Sequence, residues 1–329
     1  MLISAEGQTI VQFRSLDNAG NSSAWAPAAA NAGSTARLDR TAPSAPTATT
    51  GSSAAWKSVA SVLLTPTGAT DAPSGIASYR FQTSTDAGAS WSPAASGATL
   101  SISAEGETLV QSATVDNAGN VSAWSPTATV RIDRTLPSDP TVSGGSLSWT
   151  NAASVTITAS ASSDSGGSGL SGYQSRTSTN GGTTWSAATA GATRIVNATG
   201  QTLVQFRSLD NAGNTSAWAP ATATPGNTVN IDRTLPTAPT VTGGSLTCAA
   251  SRTITGSASS DAGGSGLAGY EYHVSLDGGL TWGATQSGAS VTFTTTGTYR
   301  VQFRSRDNAG NTSAWAPAAV GASNTACIL

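Results

Sequence analysis

The sequence predicts an all-β protein in which seven-stranded β-sandwiches follow one another in an elongated array. Three observations predict this fold: a long internal repeat, strand-like alternation of apolar and polar residues, and a composition dominated by Ala, Ser, Thr and Gly. Because Ser, Thr and Gly are weak helix formers, this composition favours strands and turns. No segment has the periodicity of a long amphipathic helix.

The repeat is marked by the string Asp-Asn-Ala-Gly-Asn, which occurs four times. Its copies begin at Asp17, Asp116, Asp210 and Asp307, so they are 99, 94 and 97 residues apart. Each copy is followed by Ser-Ala-Trp, and the first three lead into Asp-Arg-Thr-x-Pro at Asp39, Asp133 and Asp232. A period of roughly 100 residues is the size of one seven-stranded sandwich and is too long for a propeller blade.

This period predicts three complete domains after a partial one. The predicted limits are 1–38 for the partial domain, which would hold only its last strands, and 39–132, 133–231 and 232–329 for the complete ones. Two prolines in each Asp-Arg-Thr-x-Pro-x-x-Pro segment restrict the backbone, so we expect short, stiff linkers. A partial sandwich has open sheet edges, so we expect either a chain fragment or strands supplied by another copy, as in a filament.

The strands follow from alternation of side chains. Tyr299, Val301 and Phe303 alternate with arginines and glutamine, which predicts a strand with one core face and one wet face. Val155, Ile157 and Ala159 alternate with Ser and Thr in the same way. Asn-Gly-Gly at Asn180 and Asp-Gly-Gly at Asp277 are hairpin signals between strands.

The charge content excludes several functions. Charged residues make up 10% of the chain and the net charge is −2, so there is no basic patch for nucleic acid. One histidine and two cysteines leave little for histidine catalysis or zinc clusters, and no stretch approaches the roughly 20 apolar residues of a membrane helix. We expect no enzyme activity and a structural role for His273.

A second repeated string, Ser-x-(Asp/Asn)-x-Gly-x-x-Trp, resembles the Asp-box of sialidases and related propellers. It runs from Ser84 to Trp91, Ser178 to Trp185 and Ser275 to Trp282. Since it occurs once per sandwich, a hairpin-closing turn is the favoured interpretation. The tryptophans after the Asp-Asn-Ala-Gly-Asn turns either cover an edge of the core or form sugar-stacking platforms: Trp25, Trp124, Trp218 and Trp315.

The two cysteines both lie in the last repeat, near its two ends. Aligned with the preceding repeat, Cys248 matches Trp149 and Cys327 matches Asn230. The first and last strands of such a sandwich can lie side by side, so we expect a Cys248–Cys327 disulfide, with two buried thiols as the alternative. A disulfide would place the chain outside the cytoplasm.

Recurrent aspartates indicate either turn formation or calcium binding. Asp and Asn bond local amides in turns, but carboxylates and carbonyls are also the ligands of Ca²⁺. The candidate ligands at domain junctions are Asp116, Asp133, Asp164, Asp210, Asp232 and Asp261. We expect a site formed by a turn Asp, the linker Asp after it and an Asp of the following domain. The adjacent linker arginines Arg40, Arg134 and Arg233 are alternative partners for the linker carboxylates.

The turn at Asp116, followed by the linker at Asp133 and an immunoglobulin-sized unit, resembles the tandem immunoglobulin-like or fibronectin-III-like repeats of bacterial surface adhesins and secreted multidomain proteins. The resemblance covers nearly the whole chain and implies an extracellular or cell-surface protein. It favours a structural stalk or filament segment whose partners are copies of itself or a surface glycan. Some such adhesins bind calcium between domains. The alternative is a carbohydrate-binding accessory module of a secreted enzyme or adhesin.

Overall fold

The computed structural model describes residues 1–165 and 167–329. They group into two compact units, one formed by Met1–Pro137, Ser163–Leu170 and Asp210–Thr215, the other by Ser138–Ser162, Ser171–Leu209 and Ser216–Leu329. Strands dominate, with single 3₁₀ turns at Ala32–Ser34, Pro225–Asn227 and Ala322–Asn324. None of the helices in the described residues has the length and apolar character needed to cross a membrane.

The first 38 residues contain one antiparallel strand pair. The strands are β1 (Gly7–Ile10) and β2 (Thr35–Leu38), with Gly7 opposite Leu38. Apolar side chains near this pair are open to solvent: Phe13 is 67% exposed.

The first sandwich packs a three-stranded sheet against a five-stranded one. Its strands are β3 (Ala48–Thr50), β4 (Ser53–Lys57), β5 (Val62–Thr67), β6 (Ile76–Ser84), β7 (Ala95–Gly97), β8 (Leu100–Ile102), β9 (Gly106–Asp116) and β10 (Ala128–Ile132). The sheet orders are β3-β5-β8 and β4-β10-β9-β6-β7.

The second sandwich repeats this topology. Its strands are β11 (Thr141–Ser143), β12 (Trp149–Thr150), β13 (Val155–Ser160), β14 (Leu170–Ser178), β15 (Thr189–Ala190), β16 (Thr193–Val196), β17 (Gly200–Asp210) and β18 (Thr228–Ile231). The sheet orders are β11-β13-β16 and β12-β18-β17-β14-β15.

The third sandwich has the same two sheets. Its strands are β19 (Thr240–Thr242), β20 (Ser245–Ala249), β21 (Arg252–Ser257), β22 (Leu267–Ser275), β23 (Gln286–Ser287), β24 (Ser290–Phe293), β25 (Gly297–Asp307) and β26 (Thr325–Ile328). The sheet orders are β19-β21-β24 and β20-β26-β25-β22-β23. The prediction of an all-β fold of tandem sandwiches is therefore confirmed.

Each sandwich has eight strands rather than seven because its first strand divides in two. In the second sandwich, β11 pairs with β13 and then β12 pairs in parallel with β18 of the other sheet. Gly144 and Gly145 make this crossing. Gly144 has φ +101°, and a Cβ there would lie 2.4 Å from the Thr156 carbonyl oxygen, which only glycine avoids.

The core of each sandwich lies between its two sheets. In the second, Ile157 of β13 and Phe206 of β17 are fully buried, and Val229 and Ile231 of β18 close the same cluster. The alternation expected along β25 is present, since Val301 and Phe303 are fully buried. The side chains of Gln205 and Arg207 point to the opposite face of the sheet, called the outer face below.

Candidate functional site

Three clusters of aspartates are the strongest candidate sites for a ligand. In each cluster, one carboxylate oxygen from each of three residues lies within 4.8 Å of the others. The clusters are Asp39, Asp71 and Asp116; Asp133, Asp164 and Asp210; and Asp232, Asp261 and Asp307. Each cluster combines three aspartates: one from a linker, one from the loop before β6, β14 or β22, and one from an Asp-Asn-Ala-Gly-Asn turn.

The turn aspartate is held by its own loop. Asp210 ends β17, and its Oδ1 accepts hydrogen bonds from the amides of Ala212 (2.9 Å) and Asn214 (2.8 Å). The Asn214 Nδ2 donates to Asp210 Oδ2 (2.7 Å) and also to the Asp133 carbonyl (3.0 Å). The turn therefore fixes both its own carboxylate and the linker aspartate beside it.

The linker aspartate is buried. Asp133 has no exposed surface, and its two carboxylate oxygens accept the amides of Thr135 (3.0 Å) and Ser168 (3.2 Å). Asp232 repeats this arrangement with the amides of Thr234 (2.9 Å) and Ser265 (3.1 Å). Equivalent pairs of hydrogen bonds therefore hold the linker carboxylate in the second and in the third cluster.

The aspartates are grouped differently from the sequence-based expectation. The expected site joined a linker Asp to the turn Asp before it, whereas Asp133 lies with Asp210, the turn after it. The hydrogen bond from Asn214 to the Asp133 carbonyl explains this grouping. Asp39, Asp71 and Asp307 also belong to clusters, and they occupy the linker, loop and turn positions of other copies of the repeat, so aligning every copy would have identified them.

The side chains of Arg134 and Arg233 bind groups other than the linker carboxylates. Arg134 pairs with Glu105 at 3.1 Å, and its Nη1 and Nη2 donate to the carbonyls of Ala60 (2.7 Å) and Ser103 (3.1 Å). Among the described residues, neither Asp133 nor Asp232 forms an ion pair with Lys or Arg. The positive charge next to each linker aspartate in sequence thus does not neutralise it.

Hydrogen bonds lower the pKa of two carboxyl groups in the clusters. Burial by itself would raise the pKa of Asp232, but hydrogen bonds from Ser265 and Thr234 outweigh it and lower this pKa. Burial is likewise outweighed at Asp116, where bonds from Asn120 lower the pKa. In the first cluster, Asp39 Oδ2 is buried and has no hydrogen-bond partner among the described residues. Three carboxylates this close are suited to a hard divalent cation such as Ca²⁺.

Four tryptophans lie over the outer faces of the five-stranded sheets of the second and third sandwiches. In the second sandwich, the Arg176 guanidinium lies 4.7 Å from the Trp185 ring and 4.4 Å from the Trp218 ring, and Arg207 lies 4.8 Å from Trp218. We call this stack of Trp185, Arg176, Trp218 and Arg207 the second ladder, after the sandwich that contains it. Cation–π contacts of this kind hold each guanidinium group against the face of a tryptophan ring. The ladder rings thus cover the outer face of the sheet instead of an edge of the core.

The third sandwich has a corresponding third ladder of Trp282, His273, Trp315 and Arg304. The His273 ring stacks on Trp282 (4.2 Å between centroids) and on Trp315 (3.8 Å), and Arg304 lies 4.6 Å from Trp315. His273 Nε2 is 2.9 Å from Gln302 Oε1, and burial lowers the pKa of this imidazole. This packing accounts for His273 as a structural residue.

The repeated Ser-x-(Asp/Asn) strings form hairpin turns. Ser84 Oγ donates to Asp86 Oδ1 (2.7 Å), and the Ser90 amide donates to the same oxygen (3.0 Å). Hydrogen bonds from Ser84 and Ser90 lower the pKa of Asp86 to about 2. Asn180 substitutes for the aspartate in the second sandwich and keeps the bond to Ser178 (2.8 Å). The local bonds account for the string as a turn.

Comparisons with known proteins were made at the level of families, sequences and solved structures. No protein-family model matches the chain. Exoglucanase B of Cellulomonas fimi is 37% identical over 227 residues, which are 60% of this chain and 18% of that enzyme, so the match spans a small part of its length. The crystal structure of chicken CNTN1 FN1–FN3 domains is 16% identical and covers 84% of this chain and 97% of its own, with a TM-score of 0.30.

Proposed function

We propose that the chain is a non-catalytic accessory segment of a secreted carbohydrate-active enzyme and that it binds carbohydrate. The observation that carries this proposal is the 37% identity to a part, 18% in length, of an exoglucanase. A non-catalytic array that binds the polysaccharide would hold the linked enzyme near its substrate and so raise the effective concentration of that substrate.

The outer faces support a carbohydrate partner over a plain stalk. Their half-buried tryptophans are amphipathic and rigid, and planar polar groups of Arg, Gln and His surround them. Sugar-binding surfaces combine these two properties, because a pyranose ring has an apolar face and polar edges. A stalk needs no such surface.

The test is retention of the whole chain on insoluble polysaccharides. The purified chain is mixed with microcrystalline cellulose or insoluble xylan, and the protein left in solution is measured. We expect depletion on at least one polysaccharide without release of reducing sugar. A chain that stays in solution with every polysaccharide would contradict carbohydrate binding and indicate a spacer. Release of reducing sugar would show enzyme activity and contradict a non-catalytic role.

We propose in addition that the aspartate clusters bind Ca²⁺. The support is the repeated placement of three carboxylate oxygens within 4.8 Å, two of them on buried residues in the second and third clusters. A ligand at 100 times its Kd stabilises the folded state by about 2.7 kcal/mol. Calcium at such a concentration should therefore raise the melting temperature by several degrees.

The calcium experiment compares melting in Ca²⁺ and in EDTA. Asp232→Asn should reduce the shift, whereas Asp277→Asn, which copies the hairpin of Asn180 and lies outside the clusters, should keep it. A melting temperature that is the same in Ca²⁺ and EDTA would contradict the proposal.

A further inference from the structure

A cleft of about 390 Å³ opens on the outer face of the second sandwich. Residues of β14, β17, the β14–β15 hairpin and the loop before β18 line it, including Arg176, Gly182, Trp185, Leu203, Gln205 and Ala223. Its volume lies in the range of small-ligand sites, which are roughly 300–1,000 Å³. Trp185 gives it an aromatic wall and Arg176 gives it a cation.

Ala223 keeps this cleft open. The residue at the same position of the third sandwich, 97 residues later, is Val320. There, a Cβ built on Gly279 would lie 2.8 Å from Val320 Cγ2, so the valine covers the hairpin. At Gly182, the equivalent glycine, a Cβ would meet only Trp185 and Leu203 within 4 Å.

The charges beside the cleft also differ from those of the third sandwich. The third sandwich has Glu271, His273 and Asp277 where the second has Gln174, Arg176 and Asn180. Glu271 pairs with Arg304 at 2.7 Å, and Asp277 bonds its own turn. The second sandwich thus lacks both carboxylates at these positions and has an additional cation.

Arg176 is arranged to receive an anion. Its Nε and Nη2 donate to Gln205 Oε1 (2.9 and 2.7 Å), and its Nη1 has no hydrogen-bond partner among the described residues. The two tryptophans on either side hold the guanidinium plane, so little side-chain entropy is lost when a ligand binds. A guanidinium edge binds a carboxylate through charge-assisted hydrogen bonds.

We propose that this cleft binds a sugar residue that carries a carboxylate, such as a uronate in an acidic polysaccharide. The Trp185 wall would contact the apolar part of the sugar, and the Nη1 edge of Arg176 would bind its carboxylate. The inference rests on the proposed carbohydrate-binding function and adds the class of sugar.

The test is titration calorimetry of the whole chain with trigalacturonate at low salt. Ala223→Val, which copies the third sandwich, should fill the cleft, and Arg176→Gln, which copies Gln82 of the first, should remove the cation. Because both residues already occur at these positions, we expect both variants to fold. Arg176→Gln should bind at least about tenfold more weakly, the effect of losing one charge-assisted hydrogen bond, and Ala223→Val should also bind at least about tenfold more weakly, because the sugar ring could no longer enter the cleft. Val320→Ala is the matched control and should bind as the unaltered chain does.

Two other ligands define the outcomes that overturn the inference. Cellotriose has the ring without the carboxylate, and binding as tight as that of trigalacturonate would show a neutral sugar site. Acetate has the carboxylate without the ring, and competition at equal concentration would show an anion site only. Absence of trigalacturonate binding, or unchanged binding by both cleft variants, would also overturn it. Retention on cellulose or xylan in that case would leave the proposed function standing.

Discussion

One position of the outer face carries a different side chain in each sandwich. It is Gln82 in the first, Arg176 in the second and His273 in the third. Each contacts the glutamine across from it on the next strand: the Gln82 Nε2 donates to Gln111 Oε1 (2.8 Å), and Arg176 and His273 bond Gln205 and Gln302. A flat polar group is thus the shared requirement, and its charge is free to vary.

Of these three, His273 should make stability depend on pH. Burial, and then the charge of Arg304, lower its pKa in the folded chain. The unfolded chain therefore takes up a proton at a higher pH, so this stability is complete above about pH 6.5 and is lost as the pH falls through the folded-state pKa. Hydrogen exchange of the β25 amides, measured from pH 8 to pH 5, should show this loss. His273→Gln should remove it, and equal pH dependence in that variant would disprove the assignment.

At the scale of the strand, the same five residues occur in two environments. Val-Gln-Phe-Arg-Ser forms residues 11–15, 204–208 and 301–305. Phe206 and Phe303 are fully buried in their cores, whereas Phe13 is 67% exposed. The strand's own sequence does not decide the burial of its phenylalanine; the facing sheet does.

Substitution of this phenylalanine should therefore have position-dependent effects. Phe206→Ala should lower the free energy of unfolding of the second sandwich by about 3–5 kcal/mol, because it removes a buried ring and leaves a cavity. Phe13→Ala should change stability by no more than about 0.5 kcal/mol, as a surface substitution does. Urea unfolding of the two variants checks the difference, and equal losses would contradict the burial pattern.

The strands that could be predicted from the sequence are those with long alternation. β25 is eleven residues long, and within it Tyr299, Val301 and Phe303 alternate with polar residues, which suffices to orient its faces. β12 and β15 have two residues each, and too few positions remain to show a period. The ladders were not predicted, because the meeting of Trp185, Arg176 and Trp218 depends on cross-strand register. For the aspartates, the residue types were evident but their grouping depends on the bond from Asn214 to Asp133.

At the scale of the whole molecule, the three sandwiches share a framework but differ at one strand pair. The second half of each divided first strand runs parallel to the last strand of its sandwich, as β4 with β10, β12 with β18 and β20 with β26, and the side chains of these pairs meet in three ways. Arg131 lies 5.9 Å from the Trp56 ring in the first sandwich, and Trp149 is opposite Asn230 in the second. Cys248 and Cys327 form a disulfide in the third, with Cα atoms 4.4 Å apart.

This disulfide should make the third sandwich selectively sensitive to reduction. It closes a sequence separation of 79 residues, and a loop of this size contributes on the order of 4 kcal/mol in the chain-entropy estimate. Dithiothreitol, or the double variant Cys248→Ala with Cys327→Ala, should lower the unfolding temperature of the third sandwich. Hydrogen exchange of β9 in the first sandwich is the internal control and should not change. A loss of protection at β9 as large as that at β25 would contradict a local effect.

The disulfide between β20 and β26 also limits how far this part of the chain can extend under tension. A force applied on either side of the third sandwich is carried by the covalent bond between Cys248 and Cys327, so the 79-residue separation that it closes cannot lengthen. At about 3.4 Å per extended residue, roughly 270 Å of length is withheld. The second sandwich has only hydrogen bonds between β12 and β18 and would release its whole length. Whether Cys248 and Cys327 are oxidised or reduced would thus determine the extended length of an unfolded third sandwich.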